Sequence, residues 1–171
     1  MLRKVLVAGA TVALGVGALS AAPSSANQAG RASLGANADW ATASARIGAY
    51  DANAQVPVRV YLQLRNEADA DAFVASVSDP TSPNYHHYMT AAQFHAAYSP
   101  TAASVAQVES WLRGAGLAIG DVPANNMFVP ALGTAKQVER AFAVHLSNYR
   151  VQGQVVRGAD TAPTVPASVA S

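Results

Sequence analysis

Three of the chain's four histidines, His86, His87 and His95, fall in one stretch, Asp79 to Tyr98, which reads DPTSPNYHHYMTAAQFHAAY. Histidines grouped in this way could ligate a metal, serve a nucleophile, or titrate. Adjacent histidines usually point in different directions and no fourth ligand is evident nearby, so no metal site is expected. Ser82 precedes His86 by four residues, but Pro83 stands between them and no orienting acid or oxyanion donor accompanies the pair. Neither a Gly-Thr-Ser nor a G-x-S-x-G turn occurs anywhere in the chain. Titration remains, because histidine alone changes charge between neutral and mildly acidic conditions. His86, His87 and His95 are therefore candidate pH sensors, with partly exposed loop histidines of no function as the competing reading.

A second group could bind rather than react. In Val58-Arg59-Val60-Tyr61-Leu62-Gln63-Leu64-Arg65 apolar and polar residues alternate, as in a strand with one face in a core. Arg59, Tyr61, Gln63 and Arg65 then share the opposite face. Arginine and tyrosine are enriched at interface hot spots, so these four are candidate partner-binding residues. An ordinary solvated sheet face is the alternative.

The elements that must position these residues follow from local signals. Asn66 is placed to cap a helix, with Glu67, Asp69 and Asp71 in its early turns and Ala70, Phe73, Val74 and Val77 as a buried stripe. Pro80 and Pro83 bar regular structure after it, while Asp79, Ser82 and Asn84 favour turns. Composition alone reads this stretch as an ordered surface loop tucked onto a core through its tyrosines. A short helix is expected around Ala91 to Tyr98, and Ser99-Pro100 reads as the start of the next, with Val105, Val108, Trp111 and Leu112 inward. Gly114 or Gly116 ends it. Leu117 to Val122 and Met127 to Leu132 read as strands, the second at an edge or bulged because Pro130 cannot donate to a ladder. Thr134 and Gln137 form a capping box for a helix to Phe142, with Ala135, Val138, Ala141 and Phe142 inward. Leu146 to Val151 and Gln154 to Arg157 make a hairpin around Gln152-Gly153, with a bulge or late start near Leu146. The sum is an α+β fold. It is a ferredoxin-like antiparallel sheet with helices on one face and an inserted loop and helix after the first helix.

The ends read differently. Arg3-Lys4, the apolar run Val5 to Leu19 and the small residues Ser24 to Ala26 make residues 1–26 a signal peptide, with an uncleaved anchor as the alternative. Residues 27–55 are an alanine-rich flexible lead-in, with at most a helical turn near Trp40. The domain occupies 56–158, and 159–171 is an extended tail. The net charge of +1 over 171 residues includes Arg3 and Lys4; without them nine basic residues face ten acidic ones. No basic stripe recommends a nucleic-acid partner. The absence of cysteine excludes disulfides, thiol nucleophiles and thiolate metal sites. No phosphate-binding glycine loop occurs, and no cofactor is expected.

The central stretch resembles the activation domain of sedolisin-type serine-carboxyl peptidases, the pro-kumamolisin domain, whose signature runs DP-x-SP-x-YH-x-aromatic-L-T-x-x-x-F. Met89 stands where that family prefers leucine and Ala92 where it often has an acid; neither alters the turn residues. Trp111-Leu112-Arg113 running to Gly116-Leu117 is similar too, as are Gly133-Thr134, Gln137-Val138-Glu139, Ala141-Phe142, Leu146, Tyr149, Gly153 and Val165-Pro166. The resemblance spans about Val58 to Pro166. It implies a secreted propeptide that assists folding of a sedolisin-type catalytic domain and blocks its active site until acid triggers removal. It also implies that the open sheet face rests on that domain, with residues 160–171 reaching its cleft. The family's Ser, Glu and Asp catalytic motifs are not in this sequence, so the chain is not expected to be an enzyme. A free-standing secreted inhibitor, or a binding module that kept the fold, is the alternative; no membrane partner is expected after signal removal.

Overall fold

A computed structural model describes Lys4–Leu6 and residues 30–170. Apart from Lys4–Leu6, the expected signal peptide lies outside the described residues. Over these residues the protein is α+β, with five helices and three antiparallel sheets, consistent with a ferredoxin-like plan.

The main sheet is built on strand β4 (Gln55–Tyr61), whose alternation drives Val56, Val58 and Val60 into the core and leaves Gln55, Pro57 and Arg59 exposed. One neighbour is β6 (Phe128–Thr134), with Arg59 opposite Pro130 and Tyr61 opposite Phe128. Beyond β6 lies the two-residue β5 (Ala118–Ile119), and on the other edge of β4 sits β1 (Lys4–Leu6). Pro130 is thus in a central strand, against expectation. Its carbonyl accepts from Gly120 N at 2.9 Å, so its nitrogen faces the β5 side, just past the end of that short ladder. The ladder to β4 needs no donor from Pro130, and the strand remains central.

Helices α3 (Ala102–Gly114) and α4 (Ala135–Phe142) cover one face of this sheet. Val105, Val108 and Leu112 of α3 meet Ala135, Val138, Ala141 and Phe142 of α4 in the core, with Trp111 edge-on to Phe142. The capping box on α4 is complete: Gln137 N donates to Thr134 Oγ1 and Thr134 N to Gln137 Oε1. The cap of α3 is Thr101, not Ser99; Ser99 instead closes α2 (Ala91–Tyr98), and Pro100 lies between the two helices. Gly116, at φ +87°, takes the left-handed turn after α3.

Helix α1 (Glu67–Ser78) departs most from expectation. Asn66 is at its N-cap position but is left-handed, and its side chain makes no capping bond. Of the expected stripe, Ala70 and Val77 are buried, Phe73 is half-buried and Val74 is 56% exposed. Neither Ala70 nor Val77 joins the main core, so α3 is the first helix to cover the sheet. The proline loop and α2 follow α1, the first helix, as the expected insertion, and the chain then enters α3.

The last hairpin, β7 (Leu146–Val151) and β8 (Gln154–Ala159), turns at Gln152 and Gly153, both with positive φ, as a two-residue hairpin loop requires. It forms a three-stranded sheet with β3 (Arg46–Ala49), which runs just before β4. Strand β7 therefore meets the approach to β4 and not β4 itself. The pairing of β7 with β8 is unbroken; the register shift lies in β3, between Arg46 and Gly48. Residues 27–55 are thus no flexible lead-in over their described part. Leu34 is in the core, and Trp40 packs edge-on to Tyr149 over Gly158, where a Cβ would come within 2.7 Å of the indole. Nor, over its described part, is 159–171 an extended tail: β9 (Thr164–Pro166) pairs with β2 (Arg31–Ser33), and Val165 and Val169, the latter in α5 (Ala167–Ala170), are buried.

Candidate functional site

The open face of the main sheet carries Arg59 and Tyr61, as strand alternation requires. Their register partners on β6 complete it: Phe128 beside Tyr61, Pro130 beside Arg59 and Leu132 beside Pro57. Tyr61 and Phe128 lie with ring centroids 5.4 Å apart, and the Arg59 guanidinium sits 5.3 Å from the Phe128 centroid. A cation over a ring face is attracted by its quadrupole, so the two strands hold Arg59 in place. Leu132 is 45% exposed, and Ala118 of β5 lies beside it, also exposed. The result is a largely apolar face on which Arg59 is an ordered cation, the composition of an interface core.

Gln63 and Arg65 leave this face. Leu62 N donates to Met127 O at the last point where β6 can serve β4, and the chain then turns toward α2. Gln63 is half-buried, with its Nε2 3.4 Å from Glu67 Oε2. Arg65 N donates to Tyr98 O, and its guanidinium to Ser99 O at 2.6 Å and Ala96 O at 2.5 Å. It thereby satisfies carbonyls at the C-terminal end of α2, where a cation is favoured. Phe128, Pro130 and Leu132 are not among the residues that the alternation of β4 marks. The signal was present: an almost wholly apolar strand has two apolar faces, and only one can meet the helices.

The histidines are placed by nested turns. Asp79 Oδ1 accepts from Thr81 N and Thr81 Oγ1, both at 2.8 Å, and Asp79 O accepts from Ser82 N. Ser82 Oγ takes Asn84 N, and Ser82 O takes Tyr85 N. His86 N returns to Val77 O at the end of α1, with His86 left-handed at φ 62°. Its imidazole stacks on Tyr85 at 3.7 Å and leans toward Tyr88, which is 67% exposed. Tyr85 and Tyr88 therefore form an outward ledge, and of the stretch's three tyrosines only Tyr98, at the end of α2, is tucked in. His87 is exposed on the same loop, and His95 is half-buried on α2, whose capping box is Thr90 and Gln93. Among the described residues no three histidines or carboxylates gather into a possible metal site.

Of the groups in this loop, Asp79 has a displaced titration. The Thr81 backbone N–H, then the Thr81 hydroxyl, hold its carboxyl below the usual carboxylate range. A depressed folded value means that the turn's stabilisation is present above the ordinary carboxylate range and is lost as pH falls through the folded value.

The chain matches the family model of the Pro-kumamolisin activation domain over residues 42–171. It is 30% identical over 125 residues to xanthomonalisin of Xanthomonas sp. and 32% identical over 110 residues to sedolisin of Pseudomonas sp.. Over 73 residues it is 36% identical to tripeptidyl-peptidase SED1 of Arthroderma otae. These alignments cover 73%, 64% and 43% of this chain, but only 15%, 18% and 11% of the relatives. No helix among the described residues is long and apolar enough to cross a membrane. With the signature loop, the α4 capping box and the covered sheet all in place, this chain belongs to the pro-kumamolisin activation-domain family of sedolisin-type peptidases.

Proposed function

We propose that the chain is an exported activation domain that assists folding of a sedolisin-type catalytic domain and inhibits it until acid triggers release. The observation that carries this reading is the ordered apolar face of Arg59, Tyr61, Phe128, Pro130 and Leu132 opposite the helices. Such a face, uncovered by any helix among the described residues, fits the surface of a partner. The chain's role is binding and not turnover. Purified protein should inhibit a sedolisin-type peptidase without cleaving a casein-type substrate itself between pH 3 and 7. Hydrolysis that co-purifies with the folded chain, or peptidase activity indifferent to it, overturns the reading.

Acid release is assigned to the loop. A histidine covered by the partner while neutral resists charging, so the complex holds above the histidine range and weakens as pH falls through it. Replacing His86, His87 and His95 together by glutamine should flatten the pH dependence of inhibition between about 7 and 5. Asp79 acts lower. The Thr81 amide shift should titrate with a midpoint beneath the ordinary carboxylate value of about 3.9, in wild type and in the triple variant alike. Identical inhibition profiles for the two proteins would remove the histidines from the trigger.

A further inference from the structure

Residues 30–34 precede the segment matched to the family, 42–171, yet they hold its far end. Strand β2 pairs antiparallel with β9, Arg31 opposite Pro166 and Ser33 opposite Thr164. Two backbone bonds flank that ladder: Leu34 N donates to Pro163 O at 2.9 Å and Ala167 N to Gly30 O at 2.8 Å. Arg31 adds a three-way clamp. Its Nε donates to Thr164 Oγ1 at 2.8 Å, and its Nη2 to Thr164 O at 2.7 Å and to Ala141 O at 2.6 Å. Ala141 is in the last turn of α4, where the helix dipole favours a cation. One guanidinium therefore joins the N-terminal strand, the C-terminal strand and a core helix. Among the described residues β9 has no strand partner other than β2. The other anchors of 160–170 include Val165 and Val169 in the core, the Thr164 hydroxyl near Phe142 O, Gln107 Nε2 donating to Ser168 O, and Asp160, whose N donates to His145 O and whose Oδ1 accepts from His145 N.

We propose that Arg31–Leu34 is a latch that keeps residues 160–170 on the domain, and that its detachment frees this segment for a protease or for a partner's cleft. The cleft outcome rests on the inhibitory function proposed above; the latch does not. Short ladders at chain ends open locally at low cost, so the clamp decides how often the segment is loose. A guanidinium stays charged across the physiological range, so the latch responds to removal or displacement of β2 and not to mild acid.

Hydrogen exchange on the full chain reads the latch directly, with no peptidase present. In Arg31→Ala, amides of 164–170 should exchange about tenfold faster or more, the effect of losing charged hydrogen bonds at a local opening. Amides of β4, β6 and the β7–β8 hairpin should keep their protection. Arg31→Lys should fall between, since an ammonium restores the charge at the end of α4 without the planar three-way geometry. Thr164→Val is the milder second variant should Arg31→Ala fail to fold; it keeps the side-chain shape and removes the Oγ1 acceptor. A broad-specificity protease should cut both variants first within 160–168. Unchanged protection of 164–170 in Arg31→Ala and Thr164→Val overturns the latch. So does protection lost equally in β4 and β6, which makes the segment an ordinary part of the cooperative core.

Discussion

Arg59→Ala and Tyr61→Ala should each weaken inhibition of a sedolisin-type peptidase roughly thirtyfold, about 2 kcal/mol, the loss typical of an interface hot spot. The two are expected to be non-additive, because both side chains meet the Phe128 ring. Removing Tyr61 takes away the tilted ring packed beside it, and removing Arg59 takes away the cation above it. Phe128→Ala should therefore cost at least as much as either. Stability should hardly change in the two single variants, since neither residue belongs to the core cluster. Arg65→Ala is the contrasting case. Its guanidinium satisfies Ala96 O and Ser99 O, so its loss should lower melting temperature while inhibition, measured well below that temperature, stays close to wild type. Inhibition constants for the four variants decide the matter. If Arg59→Ala and Tyr61→Ala inhibit as wild type does, the sheet face is not the docking surface, and another part of the domain carries binding.

This split within one run of alternating residues shows what sequence could supply. Alternation marks Arg59 to Arg65 as one face, but a strand extends only as far as its neighbour pairs with it, and β6 serves β4 no further than Leu62. That limit is set by the turn at Asn126, a non-local fact. Local signals fared well where one short stretch contains the whole cause. The Thr134–Gln137 box, the Gln152-Gly153 turn and the helix Ala91–Tyr98 all stand where their residues place them. The two ends were unreadable for the opposite reason. Arg31–Ser33 and Thr164–Pro166 are too short and too weakly patterned to declare themselves, and each is a strand because the other is beside it. Pro130 misled in the same way: its missing donor matters only on the side where a partner strand continues, and β5 ends first.

The core itself offers the sharpest energetic test. Phe142 is the last residue of α4 and 1% exposed, with its ring edge-on to Trp111 of α3 at 5.2 Å and 82°. It joins α4 to α3 within their shared core cluster, and Ala143, left-handed at φ 52°, turns the chain away just after it. Phe142→Ala removes the ring and leaves a cavity that two capped helices on a paired sheet cannot readily close. The expected cost is about 3–5 kcal/mol, a large part of the stability of a domain held by about 5–15 kcal/mol. Urea unfolding should show the midpoint falling with the slope unchanged, because the surface exposed on unfolding is nearly the same. Phe142→Leu should lose less, as it refills most of the volume. Val74→Ala is the control: the sequence stripe on α1 marks it as buried, whereas its 56% exposure predicts a change within about 0.5 kcal/mol. A Phe142→Ala loss below about 1 kcal/mol, or a Val74→Ala loss matching it, would mean that the α3–α4 contact is not the centre of the core.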